Sequence, residues 1–527
     1  MDKKRKPTTF WLPALAFVSA LLLCLSAGMA TAAQSDMTPS KESGLTAPAA
    51  SDAAASALSG ETTQIPVPVL IPAYYNLAEQ GRKPKVRSQG NTGTCWAISA
   101  VSAIESDLLP EKKIFLSADH MSLNNGFRVT QDDGGDYYMI MSYLADWKGP
   151  VLEEEDPYGD GISPDGLNAV LHVQEIRLLR NMPPGVIKQM ILKYGAAQSS
   201  LCLNRERTDT DEYHYYNPLT SAYFDPVVEE LDHDILILGW DDTFSRDNFR
   251  IRPPSDGAWI CQNTWGDSFG EDGIFYVSYE DRNLFRKDGM VYSRIEDVHN
   301  YDHVYENDIL GWQGRQGFEG FECWMAGAYT AESDEELKAV GLYSTGPGTT
   351  CEVYVIPQFE GEKDLEFLTD RIEQMQTDEG EQMQTDESEQ AQADKDGQAQ
   401  TDETKAGQTE DSETNTIQPD SGERKNELSK APVLRAGHMT MDTAGYFTVD
   451  LERPVALKAG EQFAVAVWIR TEGETKPVAV EMVKDPFTEP VTLEGRQTWI
   501  SSDGEIWDGT QSMYQTNVCL KAYTASR

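Results

Sequence analysis

The sequence predicts an α+β region followed by an all-β region that is interrupted by a disordered acidic insert. Apolar residues recur at helical intervals in the segment after Cys95, and short alternating runs typical of strands continue to about Tyr301. From Asn300 onward strand-like runs follow, among them LKAVGLYST and CEVYVIPQF. A stretch without aromatic residues between Phe367 and Tyr446 divides this second set of strands. With 527 residues the chain is too long for one compact core, so at least two domains are expected.

The first 33 residues are predicted to be a secretory signal peptide. A basic run, KKRK, precedes the apolar stretch FWLPALAFVSALLLCLSAGMATAA, which ends in small residues near Ala33. A retained membrane anchor is the alternative, because this stretch is nearly long enough to span a bilayer. Pro13 and the alanine-rich exit favour cleavage. Residues 34–65 are small and polar, and they are predicted to be a flexible tether or a short pro-segment.

The charge balance limits the classes of partner. The chain carries 44 basic and 87 acidic residues, a formal net charge of −43. Such an excess argues against nucleic acid and against anionic membrane surfaces as partners. Six cysteines outside the predicted signal peptide are too few for a disulfide-dense scaffold. The histidines show no spacing typical of metal ligands, so neither a metal nor a cofactor is expected.

Composition divides the mature chain into two domains. Residues 66–299 form the predicted α+β domain, and residues 300–527 form the predicted β domain. The acidic insert, at about 364–430, contains the successive blocks EQMQTDEG, EQMQTDES, EQAQADKD and GQAQTDET. Strand-like runs resume at GYFTVDLERPVAL, so the insert is predicted to be an overgrown loop within one β domain.

The segment KVRSQGNTGTCWAISAVSAIES places a cysteine at the start of a predicted helix. Ile98, Val101, Ile104 and Leu108 follow Cys95 at helical intervals, and a proline ends the run. A helix N-terminus favours the thiolate form of a cysteine. The alternative reading is a small buried core residue, which is the usual role of a free cysteine.

Two later segments favour a catalytic cysteine. LDHDILILGWDD places His233 at the mouth of an apolar strand, and WICQNTWGDSFGEDG places Asn263 at the end of another strand. Taken singly, a histidine on a strand and an asparagine in a turn are more often structural. The order Cys95, His233, Asn263 is the order that a thiol nucleophile, its base and the residue orienting that base require.

With these residues in place, the sequence resembles the papain-like cysteine peptidases, and its bacterial branch in particular. The resemblance is dense over about residues 72–279. Gln89 lies six residues before the cysteine, which is the family's spacing for the oxyanion-hole glutamine. DGGDYYMIMSYL resembles the segment whose glycine pair, here Gly134 and Gly135, binds extended substrate. QNTWGDSFGEDG resembles the asparagine segment, in which Trp265 matches the indole that shields the Asn–His hydrogen bond.

The resemblance implies a two-lobed peptidase, with a helical lobe and a β-barrel-like lobe, that hydrolyses peptide bonds through an acyl-enzyme. Cys95 would be the nucleophile and His233 the general base, forming a thiolate–imidazolium pair before substrate arrives. Asn263 would orient the imidazole, and Gln89 would donate to the oxyanion. Gly134, Gly135 and Trp265 would line the substrate-binding cleft.

This sequence also departs from the family pattern. Thr92 stands where many members have a disulfide cysteine, Ile98 replaces a phenylalanine, and Phe269 replaces a tryptophan. These changes alter part of the cleft wall and leave the substrate preference open. The long helical inhibitory prosegment of the family has no counterpart in residues 34–65.

The C-terminal region resembles the lectin-like β domain that follows such peptidases in bacteria, on segments such as LGWQGRQGFEGFECWMAGAYTAESDEELKAVGLYS. The combined prediction is a secreted or cell-surface bacterial cysteine endopeptidase that acts on protein or peptide substrates. Its C-terminal domain would offer a possible contact with the cell surface or with glycans. One alternative is a catalytically silent surface-binding protein on a papain-like scaffold. A second is a cell-wall amidase, although amidases lack the Gln-x5-Cys-Trp and Asn-x-Trp-Gly segments.

Overall fold

The structure is a computed structural model that describes residues 70–203, 214–228, 230–287, 289–375 and 431–527. The predicted signal peptide, the tether and residues 376–430 of the predicted insert lie outside the described residues. In the described ranges, no helix combines the length and the apolar character that crossing a bilayer requires.

Six helices are present in the described part of the chain. They are α1 Cys95–Leu108, α2 Ala118–Leu123, α3 Tyr137–Ala145, α4 Pro184–Tyr194, α5 at 368–375 and α6 Thr510–Tyr514. The central helix α1 is buried along nearly its whole length. Small residues such as Ala97, Ala100 and Ala103 allow neighbouring strands to pack closely on several sides of it.

Strands of the N-terminal region follow the first three helices for the most part. They are β1 Tyr74–Asn76, β2 His172–Leu178, β3 Ala197–Leu201, β4 Tyr216–Asn217, β5 Ala222–Tyr223, β6 His233–Asp241, β7 Ala258–Gln262, β8 Ile274–Ser278 and β9 Gly289–Glu296. The helices α1 to α3 and these strands form the two parts of a papain-like fold. Strand β6 pairs with β3 on one side and with β7 on the other, which places it in the middle of the sheet.

The C-terminal region is an all-β sandwich, as the sequence predicted. Its strands are β10 His303–Glu306, β11 Gly314–Gln316, β12 Glu322–Thr330, β13 Glu335–Ser344, β14 Thr349–Ile356, β15 Leu434–Met441, β16 Gly445–Leu457, β17 Gln462–Arg470, β18 Val478–Glu481, β19 Thr498–Ser501, β20 Asp508–Gly509, β21 Asn517–Val518 and β22 Leu520–Ser526. One six-stranded sheet has the order β15-β14-β17-β12-β19-β20, and β11, β18 and β21 form a small sheet. Alternate residues of β12, β14 and β17 pack against those of β13, β16 and β22 in a continuous apolar core.

One sheet runs through both regions. Its strand order is β10-β22-β13-β16-β2-β9-β3-β6-β7-β8-β5-β4, with β1 on β6, and the pairing of β16 with β2 joins the two regions. Gly445 faces Arg177 in this pairing, and a Cβ at Gly445 would lie 1.9 Å from the carbonyl oxygen of Ile176. Only glycine therefore permits the close approach of the two backbones.

Buried charges reinforce this junction. Lys521 is fully buried, and its Nζ lies 2.5 Å from Asp146 Oδ1, 2.6 Å from Glu306 Oε2 and 3.3 Å from Asp308 Oδ2. Burial raises the pKa of Asp308 to about 7, although the Lys521 charge acts in the opposite direction. The N-terminal region thus contributes Asp146, and the C-terminal region the lysine and the other two carboxylates.

The start of the predicted acidic insert differs from the expectation. Residues 364–375 were assigned to the disordered insert, but the structure places them in a short turn and in helix α5. Leu365, Leu368 and Ile372, spaced as on one face of a helix, pack into the core around Trp324. Arg371 donates hydrogen bonds to the carbonyls of Asp364 and Ala431. The prediction was wrong here because the acidic composition further along the chain obscured a short apolar helical pattern.

Candidate active site

Cys95 begins helix α1 and lines a cleft of the described structure. The cleft has a volume of about 1050 Å³, and both parts of the papain-like fold contribute to its lining. Cys95 is 9% exposed. Thr94 precedes the helix, but its side chain makes no capping hydrogen bond. Its hydroxyl instead bonds Thr92 Oγ1 at 2.9 Å and the Tyr158 hydroxyl, which leaves the first helical N–H groups without a cap from this side chain.

The structure brings His233 and Asn263 together beside the same cleft. His233 begins strand β6, and Asn263 directly follows β7, the neighbouring strand. Asn263 Oδ1 accepts the Thr264 N–H at 2.7 Å, and His233 Nε2 lies 2.8 Å from the same oxygen. Since that oxygen can only accept, Nε2 carries the proton and Nδ1 is the basic nitrogen. The Asn263 amide nitrogen is buried without a hydrogen-bond partner in the described part of the chain. Holding the amide in this orientation therefore costs the free energy of an unmade hydrogen bond.

Trp265 covers the histidine. The centroids of the Trp265 and His233 rings lie 4.8 Å apart. Phe269, which stands where the family has a tryptophan, packs edge-on against Trp265 at 5.1 Å and stacks on Tyr216 at 5.0 Å. The replacement therefore preserves an aromatic support behind the indole.

Gln89 is held in the cleft wall by the asparagine segment and by Thr92. Its backbone N–H donates to the Thr264 carbonyl at 2.8 Å, and its Oε1 accepts from Thr264 Oγ1 at 2.6 Å. Its Nε2 donates to the Thr92 carbonyl at 2.6 Å, and the Thr92 hydroxyl donates back to the Gln89 carbonyl at 2.9 Å. An amide nitrogen carries two N–H groups, so one remains for an oxyanion. Thr92, where the family often has a disulfide cysteine, thus braces this loop with hydrogen bonds.

The glycine pair lies on the cleft wall next to the nucleophile segment. Gly134 has a positive φ of 81°, and a Cβ on Gly135 would lie 2.3 Å from the Trp96 ring. Gly93 N–H donates to the Gln131 carbonyl at 2.8 Å, which ties this wall to the loop before Cys95. A side chain at Gly135 would clash with the Trp96 ring, so the glycine pair leaves its backbone uncovered toward the cleft.

Burial shifts the pKa values of both Cys95 and His233. Burial, reinforced by the nearby Asp234 charge, raises the pKa of the Cys95 thiol to about 12. Burial lowers the pKa of His233 to about 4, although the hydrogen bond that His233 donates to Asn263 acts in the opposite direction. Burial thus acts against the charged form of each side chain.

Sequence reasoning missed Asp234, which directly follows His233 on strand β6 and interacts with Cys95. Its Oδ2 accepts from Gln198 Nε2 at 2.8 Å, and its Oδ1 accepts from the Ser200 hydroxyl. Its backbone N–H donates toward the Cys95 sulfur. Gln198 Nε2 also reaches the Trp96 carbonyl at 3.1 Å, which links the carboxylate to helix α1. A charged residue directly before the apolar run ILIL was the available signal.

Comparison with known proteins identifies the class of both regions. A family model described as papain family cysteine protease matches residues 71–294. A model described as a lectin-like domain matches residues 304–380 and 408–524. The chain thus combines a papain family cysteine protease domain with a lectin-like domain.

Solved structures with both domains share this fold. A clostridial cysteine protease, Cwp84 after propeptide cleavage, superimposes with a TM-score of 0.65 at 19% identity, covering 86% of this chain and 99% of that chain. The cysteine protease and lectin-like domains of Cwp84, described as a surface layer associated protein of Clostridium difficile, give a TM-score of 0.63 at 19% identity, covering 86% of this chain and 89% of that chain.

Two curated relatives each match less than half of this chain. Procathepsin L of Felis catus is 25% identical over 229 residues, which are 42% of this chain and 64% of the relative. Cysteine proteinase 1 of Zea mays is 26% identical over 251 residues, which are 44% of this chain and 62% of the relative. The chain therefore spans somewhat less than two thirds of the length of these relatives.

Proposed function

We propose that the chain is a secreted or cell-surface cysteine endopeptidase. The observation that carries this proposal is the hydrogen bond of His233 Nε2 to Asn263 Oδ1 beside a cleft that Cys95 also lines. That bond assigns Nδ1 as the proton acceptor, which is the role of a general base toward a thiol. The family match and the cathepsin-type relatives support the same reaction class.

The reaction begins with proton transfer from Cys95 Sγ to His233 Nδ1. The sulfur attacks the carbonyl carbon of the scissile peptide bond, and the negative charge moves to the carbonyl oxygen. The N–H of Cys95 and the free N–H of Gln89 stabilise that oxyanion. Since burial acts against both charged forms, this stabilisation of the oxyanion favours the proton transfer.

Collapse of the tetrahedral intermediate breaks the C–N bond, and the imidazolium gives its proton to the leaving amine. A water molecule then attacks the thioester carbon, and His233 Nδ1 takes its proton. Breakdown of this second intermediate releases the carboxylic acid and restores the thiol. Asn263 and Trp265 keep the imidazole oriented through both steps.

The location of the enzyme is a second part of the proposal. The predicted signal peptide favours export, and Cwp84 is described as a surface layer associated protein. We expect protein or peptide substrates in the cleft and a cell-surface or glycan contact at the lectin-like domain. The bacterial origin of the chain belongs to the same inference.

Labelling of the cysteine tests the proposed activity. The protein without its first 33 residues is treated with a thiol-reactive peptidyl epoxide, and the labelled residue is mapped by mass spectrometry. The five other cysteines in the described ranges are all buried and serve as internal controls. We expect labelling at Cys95 only, its loss in Cys95→Ser, a strong reduction in His233→Ala, and cleavage of a fluorogenic peptide library. A folded protein that neither labels nor cleaves would instead be a silent binding protein on this scaffold.

A further inference from the structure

A loop of the lectin-like domain reaches the cleft of the protease domain. Residues 483–489, named here the bridging loop, follow strand β18 and contain a short 3-10 turn. Asp485 Oδ1 accepts from the N–H groups of Phe487 at 3.0 Å and Thr488 at 3.2 Å. Thr488 Oγ1 accepts the Lys484 N–H at 2.8 Å. These reciprocal bonds fix the backbone of the bridging loop without help from the other domain.

The bridging loop is attached to the wall of the cleft. The Phe487 carbonyl accepts the Arg128 backbone N–H at 2.9 Å, and the Arg128 guanidinium pairs with Glu489. Arg128 lies a few residues before Gln131 and the glycine pair, which themselves line or brace the cleft. The ion pair is largely exposed and adds little, so the backbone hydrogen bond is the specific attachment.

This attachment brings a cation to the cleft. Lys484 is one of the residues that line the same cavity as Cys95, His233 and the glycine pair. Its side chain is exposed and makes no ion pair with any residue that the structure describes. A charged side chain that lines a cleft without a partner is available to a ligand of opposite charge.

Among the other charged residues of the lining, aspartates outnumber the one further lysine, Lys287. Five aspartates line the cleft: Asp132, Asp133, Asp136, Asp232 and Asp234. Four of them already accept hydrogen bonds from the chain, as Asp133 does from Thr130 and Asp136 from Tyr138. The cleft is therefore unfavourable for an acidic substrate side chain except where a cation is in contact with it.

We propose that the bridging loop forms part of the substrate cleft and that Lys484 binds an acidic side chain of the peptide substrate. The proposal rests on the proposed peptidase function for its substrate class, since it names the preference of that same cleft. The preference for Glu or Asp at the position that contacts Lys484 is supplied by the lectin-like domain, while Lys287 of the protease domain lines the same cleft as a second exposed cation.

Peptide binding tests the proposal without catalysis. In the Cys95→Ala background, fluorescein-labelled peptides that differ at one position in Glu, Gln or Lys are titrated by fluorescence anisotropy. We expect the Glu peptide to bind about three- to tenfold more tightly than the Lys peptide at one position, as for a partly exposed ion pair, and less so at high salt. Lys484→Glu should reverse this order. Lys458→Glu, the same charge change on an exposed turn of the lectin-like domain away from the cleft, should leave it unchanged.

Two further results separate this proposal from that of peptidase activity. Labelling of Cys95 in the parent protein by a small, uncharged thiol reagent reports on the peptidase function without a substrate side chain at Lys484. Loss of all labelling and cleavage in the parent protein would overturn the peptidase function, while the anisotropy titration would still decide the role of Lys484. Equal affinities of the Glu and Lys peptides at every position, or the same response in Lys458→Glu as in Lys484→Glu, would overturn the role of Lys484.

Discussion

Asn263 Oδ1 accepts hydrogen bonds from His233 Nε2 at 2.8 Å and from the Thr264 backbone N–H at 2.7 Å, so the neighbouring backbone fixes the amide that fixes the imidazole. The tautomer of the base thus follows from a main-chain contact, and Nδ1 is the nitrogen with a free lone pair.

Removing this orienting residue should reduce turnover more than substrate binding. In Asn263→Ala we expect kcat for a fluorogenic peptide to fall about 10²-fold with little change in KM, because the misplaced imidazole no longer aligns with the thiol. Asn263→Gln keeps the amide but moves it, and we expect an intermediate loss. An unchanged kcat in the alanine variant would remove Asn263 from the mechanism.

Asp234 should set the pH at which Cys95 reacts. Its charge raises the thiol pKa, so Asp234→Asn should lower that pKa and increase the alkylation rate by iodoacetamide at a given pH below about 12. The check is the rate profile between pH 6 and 10. Ser200→Ala is the matched control, because it removes a hydrogen bond to the carboxylate and keeps the charge. An equal acceleration in both variants would point to loosened packing rather than charge.

Gly135 should tolerate no side chain. Its added Cβ would lie 2.3 Å from the Trp96 ring, so Gly135→Ala should lower the free energy of unfolding by about 1–3 kcal/mol and reduce epoxide labelling of Cys95. Gly185→Ala is the control, since its Cβ would meet only Ile71 Cδ1 at 4.0 Å within helix α4. Urea unfolding monitored by tryptophan fluorescence compares the two. A Gly135→Ala protein as stable as the parent would contradict the packing argument.

The junction between the domains should respond to pH. Asp308 has an ordinary pKa of 3.8, and burial raises it to about 7 in the folded protein. The folded state therefore holds this proton more tightly. The stability that it contributes is fully present below about pH 4 and is lost as the pH rises through about 7.

Asp308→Asn should consequently flatten the fall in the urea midpoint between pH 4 and pH 8. Asp272→Asn removes the same charge from an exposed turn and should leave that fall intact. A pH profile of Asp308→Asn that parallels the parent's would show that Asp308 does not titrate as described.

A deletion of the acidic segment that starts at residue 376 should leave the fold intact, whereas a deletion that starts at residue 364 should destabilise it. Replacing residues 376–430 by a short Gly-Ser linker should preserve folding and labelling of Cys95, because Arg371 already reaches the Ala431 carbonyl across the gap. Starting the deletion at 364 removes Leu365 and Leu368 from the core and should lower the thermal midpoint markedly. Calorimetry of both variants distinguishes the two boundaries.

The sequence was informative where chemistry depends on residue order. Short motifs singled out Cys95, Gln89, His233 and Asn263. In the structure the first three line one cleft, and the buried Asn263 accepts a hydrogen bond from His233. Strand alternation likewise predicted the all-β character of the C-terminal region, because a sheet with one buried face imposes a period of two.

Other features depend on long-range contacts that local patterns do not encode. The pairing at Gly445 joins strands far apart in the chain, and nothing near residue 445 specifies its partner in β2. The protonation of Cys95 and His233 follows from burial, which a helix N-terminus alone does not reveal. The contact of the bridging loop with Arg128 is of the same kind.

The pairing of β2 with β16 fixes the lectin-like domain against the protease domain instead of leaving it on a flexible linker. A ligand held by the lectin-like domain would stand at a set distance and bearing from Cys95. Cleavage of a polymer anchored there would accordingly produce fragments of uniform length. A flexible linker between the two domains would instead spread the cuts over every site within its reach.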